Sequence, residues 1–224
     1  MNERGKPWGQ LFGPGFKRIN GKPQLTSSGL YVREPEVLFG SVLPDFTGGV
    51  QNQIVYKNFL FSFNIDYQQG GKFFSLSDFW GSFSGLTAKT ATINDKGNPV
   101  RDPVEEGGGV HVFGVDENGK DVDYYVDAQT YFHQFQGSRI SENSVYDLTF
   151  VKLREVSLGY SFNVEKLGLG KTFTRASISI VSRNPWLIYA KTRDFDPSEI
   201  SNTYGENGQF PGTRSIGFNI KLGF

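Results

Sequence analysis

Apolar and polar residues alternate strictly along several stretches of this sequence. The alternation is strict at 213–224, where five apolar side chains share one parity: Ile216, Phe218, Ile220, Leu222 and Phe224. A period of two predicts a β-strand with one apolar and one polar face. The same pattern predicts strands at 8–18, 46–56, 59–69, 147–162 and 173–184. We therefore predict an all-β, antiparallel fold, with an irregular Gly- and Pro-rich loop from residue 19 to Asp45.

The predicted strand 147–162 contains a change of phase. Val151 and Leu153 share one parity, whereas Val156 begins an apolar series on the other. A β-bulge near Arg154 and Glu155 would insert one residue and bring both series to the same face.

The connections between the predicted strands are short and long in turn. They contain 2 residues (57–58), 77 residues (70–146), 10 residues (163–172) and 28 residues (185–212). Outer-membrane barrels have short periplasmic turns and long extracellular loops, whereas a soluble meander has no reason to keep this order. The order favours a transmembrane β-barrel with long extracellular loops at 70–146 and 185–212. Because 77 residues far exceed an ordinary loop, we expect that segment to be functional or a small subdomain.

The composition is compatible with a barrel wall. The sequence contains 21 Phe, 10 Tyr and 3 Trp, yet its mean hydropathy is −0.38, as expected when a strand hides only every second residue from water. No apolar run is long enough for a transmembrane helix. The formal net charge is zero without clustered Lys and Arg, which argues against a nucleic-acid partner. There is no Cys, and no apolar leader follows Met1, so we expect either a cytosolic protein or part of a larger one.

Several stretches resemble SusC/RagA-like TonB-dependent transporters. The segment 40–49 (GSVLPDFTGG) with 56–59 (YKNF) resembles the family's G-x-x-x-P-D-[FW]-x-x-G … Y-K-[ND]-F. The segment 146–160 (YDLTFVKLREVSLGY) resembles its F-[VL]-[KR]-L-[KR]-x-[VL]-x-L-G-Y strand. Three shorter matches follow in the family's order: 182–186 (SRNPW), 194–197 (DFDP, with Ser198 in place of an acidic residue) and 211–214 (PGTR).

The resemblance implies the C-terminal part of a barrel that has about 22 strands when complete, with the plug domain and signal peptide absent from this chain. It implies the outer membrane of a Gram-negative bacterium, contact with membrane lipid, and import of oligosaccharides or peptides. The implied partners are a SusD-like surface lipoprotein and the TonB–ExbB–ExbD system, reached through an N-terminal region that this chain lacks. The terminal Phe224 is expected to be a signal for the barrel assembly machinery.

No motif predicts an enzyme or a cofactor. His111 and His133 are the only histidines and lie 22 residues apart without ligand-spaced partners, so we predict no metal site. The candidate ligand contacts are Phe79, Trp80 and Tyr204, aromatic residues in the predicted long loops. They could stack on a sugar, or pack within the loops or in an aromatic girdle at the membrane surface.

Two other interpretations stay open at this point. A small self-closing outer-membrane barrel with a structural or adhesive role predicts about eight strands, whereas the pattern gives six at most. A soluble, carbohydrate-binding β-sandwich also has strands with one wet and one dry face.

Overall fold

The structure, a computed structural model, describes residues 5, 8–192, 195–200, 205–208, 210 and 212–224. It divides into two compact units, and each is described by itself. The first unit comprises the described residues of Met1–Leu43, Gly71–Asp147 and Ile200–Gln209. The second comprises those of Pro44–Gly70, Leu148–Glu199 and Phe210–Phe224.

The predicted all-β, antiparallel fold is confirmed. The described strands are, in chain order, β1 Gln10–Phe16, β2 Arg18–Ile19, β3 Lys22–Pro23, β4 Arg33–Ser41, β5 Phe46–Tyr56, β6 Phe59–Gln69, β7 Lys72–Ser75, β8 Val110–Val115, β9 Asp121–Val126, β10 Val145–Asp147, β11 Phe150–Phe162, β12 Arg175–Ala190, β13 Gly205–Glu206 and β14 Ser215–Gly223. The α-helices are α1 Leu76–Phe83 and α2 Ala128–Gly137. Short 3-10 turns occupy Ala88–Ala91, Val104–Glu106, Glu142–Ser144 and Pro197–Glu199. None of the described helices is long and apolar enough to cross a membrane.

The second unit is built on one antiparallel sheet with the strand order β14-β12-β11-β6-β5. Strands β5 and β6 have the bounds that the alternation predicts. The predicted bulge in β11 is present, because the register shifts between Leu153 and Glu155 against both β6 and β12. The shift places Val151, Leu153 and Val156 on the same face.

The predicted end of β12 at residue 184 is wrong, because the strand continues to Ala190. In the sequence, the Asn184-Pro185 pair suggests that the strand ends there. In the structure Asn184 has a φ of 48°, and both residues lie between the paired residues Arg183 and Trp186, at the bulge opposite β11. A proline is tolerated at a bulge because its missing N–H leaves no ladder hydrogen bond unmade.

The first unit contains sheets of two or three strands. The predicted strand at 8–18 corresponds to β1, which pairs with β4, and to β2. The predicted irregular loop at 19–45 is wrong, since it contains β3 and β4. Charged residues of β4, such as Arg33, Glu34 and Glu36, obscure its apolar alternation. The predicted strand 147–162 is divided between two strands. Its first residue, Asp147, ends β10, which pairs with β7 in this unit, and the rest of the strand is β11.

The predicted loop 70–146 is folded over much of its length. It contains β7, α1, the β8–β9 hairpin, α2 and β10. Buried residues of two clusters form the core of this unit: Val100, Ala128, Phe132, Phe135 and Ile140 in one, and Leu25, Val112 and Val126 in the other. The helix α2 was missed, although Ala128, Phe132 and Phe135 have helical spacing and Asp127 caps the Thr130 amide at 2.9 Å.

Helix α1 begins at a dense hydrogen-bonded N-terminus. The Ser75 hydroxyl accepts from the Asp78 amide at 3.0 Å. The buried Glu206 carboxylate accepts from the Ser75 hydroxyl at 2.8 Å, the Ser77 hydroxyl at 2.7 Å and the Ser77 amide at 3.0 Å. Burial opposes ionisation of Glu206, but these hydrogen bonds outweigh it and hold the pKa of its carboxyl below the usual range.

Candidate functional site

One face of the five-stranded sheet is apolar across its whole width. Directly paired residues form a row that crosses every strand: Ile54, Phe61, Leu158, Ile180 and Phe218. A second complete row is also apolar: Tyr56, Phe59, Tyr160, Ile178 and Ile220. We call this surface the apolar face and define it by these ten residues.

The apolar face is exposed rather than packed. Ile180 is 60% exposed and Phe218 75%, and even Phe61, in the central part of the sheet, is 37% exposed. A soluble monomer rarely exposes an apolar patch larger than a few hundred Å². A surface of this kind is typical of the lipid-facing side of an outer-membrane barrel.

The opposite face of the same sheet is mostly polar, with Val55, Leu60 and Val181 as apolar members. A row of paired residues on that side is polar in every strand: Gln51, Asn64, Glu155, Arg183 and Ser215. The Ser62 and Ser157 hydroxyls share a hydrogen bond of 2.7 Å on the same face. Arg183 and Glu155 form an ion pair of 3.2 Å. The sheet therefore separates an apolar side from a hydrated one, as a barrel wall must.

The polar face carries an ion cluster formed by Asp66, Lys152, Arg154, Asp196 and Glu199. The Lys152 ammonium donates to Asp196 Oδ2 at 2.6 Å and to Glu199 Oε1 at 2.7 Å. Arg154 donates to Glu199 Oε1 at 2.6 Å and to Asp66 Oδ2 at 2.8 Å. The cluster therefore attaches the turn Pro197–Glu199 to strand β11.

Burial and hydrogen bonding act in opposite directions on these carboxylates. The Lys152 side chain is only 2% exposed, while Asp196 and Glu199 keep about a quarter of their exposure (26% and 28%). Desolvation would raise both pKa values, but the hydrogen bonds from Lys152, Arg154 and Ser198 outweigh it. The pKa of the Asp196 carboxyl and that of the Glu199 carboxyl therefore lie below their usual values.

This cluster was not predicted from the sequence, in which Asp196 and Glu199 lie in the predicted long loop 185–212. The available signal was the basic pair Lys152 and Arg154, which share one parity and therefore one face of a strand, followed in the chain by the acidic segment that contains Asp196 and Glu199.

Two of the predicted ligand contacts, Phe79 and Trp80, are in ring contact, with centroids 5.7 Å apart. Phe79 and Trp80 lie on α1 rather than in a loop. Phe79 packs against the core of the first unit, whereas Trp80 is 46% exposed. Tyr204 lies outside the described residues. Phe224 is 85% exposed, with its ring centroid 5.2 Å from that of Phe173.

The two histidines have aromatic and acidic neighbours. His111 lies 2.7 Å from Asp95 and 3.2 Å from Asp123 and stacks on Tyr125. His133 stacks on Phe83 with a centroid distance of 4.2 Å. Within the described part of the chain, no group of three or more His, Asp or Glu side chains is arranged to hold a metal ion.

Comparison with known proteins gives relatives of one kind. The chain is 26% identical over 211 residues to the TonB-dependent receptor P26 of Formosa agariphila, covering 88% of this chain and 18% of that protein. It is 26% identical over 165 residues to the TonB-dependent receptor P39 of the same organism, covering 74% of this chain and 14% of that protein. No family model matches the chain.

Solved structures show the same fold. The RagAB peptide importer in its "open-open" state superposes with a TM-score of 0.61 at 16% identity, covering 96% of this chain and 22% of that chain. Its "closed-closed" state gives a TM-score of 0.58 at 17% identity, covering 95% of this chain and 22% of that chain. The chain resembles part of a SusC/RagA-like TonB-dependent transporter. It spans about a fifth or less of the length of these SusC/RagA-like and TonB-dependent relatives.

Proposed function

We propose that the chain forms part of the barrel wall and of the external region of a SusC-like, TonB-dependent importer in the outer membrane of a Gram-negative bacterium. The exposed apolar face of the five-stranded sheet carries this proposal, because an aqueous environment would disfavour such a surface. In the proposed arrangement the apolar face contacts lipid and the polar face lines the hydrated interior.

The proposed substrate is an oligosaccharide or a peptide. The RagAB structures are described as those of a peptide importer and a peptide transporter, which supports the peptide alternative. A SusD-like surface lipoprotein would deliver the substrate, and TonB–ExbB–ExbD would supply energy through a region outside this chain. The barrel assembly machinery would insert the wall, with Phe224 as its recognition residue.

Two observations disfavour the other interpretations. A soluble β-sandwich buries the apolar side of each sheet against the other sheet, whereas Ile180 and Phe218 are mostly exposed. A self-closing barrel pairs its first strand with its last, whereas in the described residues β5 pairs only with β6 and β14 only with β12.

Uptake by living cells tests the proposal. Deleting the gene that encodes this chain should abolish uptake of at least one member of a fluorescent set of oligosaccharides and peptides, and the same uptake should require TonB. Re-expression with Ser179→Arg, on the polar face, should restore it. Re-expression with Ile180→Arg should not, because an arginine on the lipid face costs about 2–4 kcal/mol near the bilayer midplane. Uptake that is independent of the gene, or equal rescue by both variants, would refute the proposal.

A further inference from the structure

The first unit contains an open cleft between the segment that follows β3 and the β8–β9 hairpin with its turn. Its volume is about 570 Å³. Its walls include apolar parts of Val32, Val122 and Tyr124, and its rim includes Asp116 and Glu117. None of its described lining residues is a lysine or an arginine.

Gln24 is the most informative residue of this cleft. Its side chain is largely buried, since the residue is only 9% exposed, and its Oε1 has no hydrogen-bond partner among the described residues. A buried acceptor without a partner is uncommon, because it forfeits the hydrogen bond that water would have given it. Gln24 lines the cleft, and no described residue satisfies its oxygen.

The backbone holds Gln24 in a fixed position. Its amide donates to the Lys17 carbonyl at 2.8 Å, and its carbonyl accepts from the Val32 amide at 2.9 Å. The cleft is also fixed on its other side, because Asp116 Oδ1 accepts from the Asn118 and Lys120 amides, both at 2.9 Å. Binding to such a cleft requires little ordering of the protein, which favours affinity.

The two charged side chains of the cleft are hydrogen-bond acceptors. Asp116 and the exposed Glu117 give the rim a negative charge, whereas Thr26, Ser27 and Asn118 can donate as well as accept. A ligand that fits must donate hydrogen bonds and carry positive rather than negative charge. Lysine and arginine side chains have this character, and their aliphatic stems also suit the apolar walls at Val32 and Val122.

We propose that this cleft binds a lysine or arginine side chain of a peptide. The inference rests on the proposed function, because it treats the cleft as a substrate contact of an importer, and it narrows the substrate to peptides that carry basic residues.

Calorimetry on the purified full chain in detergent tests the inference. The probes are the blocked peptide Gly-Gly-Lys-Gly-Gly, the same peptide with Nε-acetyl-lysine, and maltohexaose. The lysine peptide should bind, and acetylation should weaken its binding about tenfold, because the charge-assisted hydrogen bonds are lost. Equal binding of the acetylated peptide, or binding of maltohexaose in place of the lysine peptide, would overturn the inference.

Two variants and one control locate the site. Glu117→Gln should weaken binding of the lysine peptide about fivefold, the effect of one partly exposed ion pair. Gln24→Leu should weaken it to a similar extent by removing the acceptor. Glu105→Gln makes the same charge change at an exposed residue outside the cleft and should have no effect. Glu117 is on the surface, so its substitution should not impair folding. If Glu117→Gln and Glu105→Gln had equal effects, the peptide would bind elsewhere.

The binding and uptake results separate the two proposals. Gene-dependent uptake without binding of the lysine peptide at this cleft would overturn only the inference. Binding at the cleft without any gene-dependent uptake would overturn the proposed function.

Discussion

Substitution of Lys152 by Met removes the central cation of the ion cluster. Lys152 donates to Asp196, Ser198 and Glu199 at 2.6, 3.0 and 2.7 Å. Its loss leaves the Asp196 and Glu199 carboxylates with Arg154 as the remaining cation of the cluster as defined above. We therefore expect the turn Pro197–Glu199 to detach from β11 more easily.

The magnitude follows from burial. Removing one partner of a buried ion pair costs about 3–5 kcal/mol. Asp196 and Glu199 are 26% and 28% exposed and Arg154 still binds Glu199, so we expect the lower end of that range, about 3 kcal/mol. Since 1.4 kcal/mol corresponds to a factor of ten, local opening should become about a hundredfold more frequent.

Hydrogen exchange of the segment 195–200 measures this opening. The Ser198 amide donates to Asp196 Oδ1 at 3.0 Å, and Lys152 holds the other oxygen of the same carboxylate, so protection of this amide depends on the position of that carboxylate. Lys221→Met is the matched control, because Lys221 also lies on the polar face, is exposed, and forms no ion pair among the described residues. The reasoning would be refuted if protection in Lys152→Met stayed within twofold of that in the unmodified protein. It would also be refuted if Lys221→Met lost as much protection as Lys152→Met.

Three further predictions follow from other contacts. Gly48→Ala should lower the temperature at which the folded band is lost in semi-native gels, because a Cβ at this position would overlap the Tyr67 side chain. The expected overpacking cost is about 1–3 kcal/mol. The control Gly217→Ala should leave that temperature unchanged, since nothing lies within 4 Å of a Cβ at position 217. Glu206→Gln should speed hydrogen exchange in the first turn of α1, because the charge-assisted hydrogen bonds are worth about 1.5–3 kcal/mol, and unchanged exchange would contradict this. Protection of 195–200, corrected for intrinsic exchange rates, should stay constant from pH 7 to about pH 5 and fall below about pH 4. The direction of this change follows from the lowered pKa values of Asp196 and Glu199 in the folded protein. The two carboxylates stabilise the turn fully above their ordinary pKa values, and this stabilisation is lost as the pH falls through their pKa values in the folded protein. Protection that rises below pH 4 would contradict this prediction.

The sequence predicted best where one face of a strand is uniformly apolar. The bounds of β6 follow directly from its alternation, and the β11 bulge follows from the phase change between Leu153 and Val156. Both features depend only on the period of two in an extended chain. They do not require knowledge of which strands pair.

The sequence predicted least where contacts between distant residues determine the structure. The extension of β12 beyond Pro185 depends on a bulge against β11, and β4 exists because it pairs with β1 despite its charged residues. The ion cluster joins β11 to a turn more than 40 residues later in the chain. No local pattern specifies these pairings, so they could not be read from periodicity.

The central claim is that the apolar face of the five-stranded sheet contacts lipid, and spin labelling along β14 tests it most directly. The protein has no Cys, so single cysteines at 216–222 can each carry one nitroxide in outer-membrane vesicles. We expect high accessibility to oxygen, which concentrates in lipid, at Ile216, Phe218, Ile220 and Leu222. At Gly217, Asn219 and Lys221 we expect high accessibility to a water-soluble nickel complex instead. Equal accessibility to the nickel complex at all seven positions, or the reverse alternation, would contradict the assignment of the apolar face to lipid.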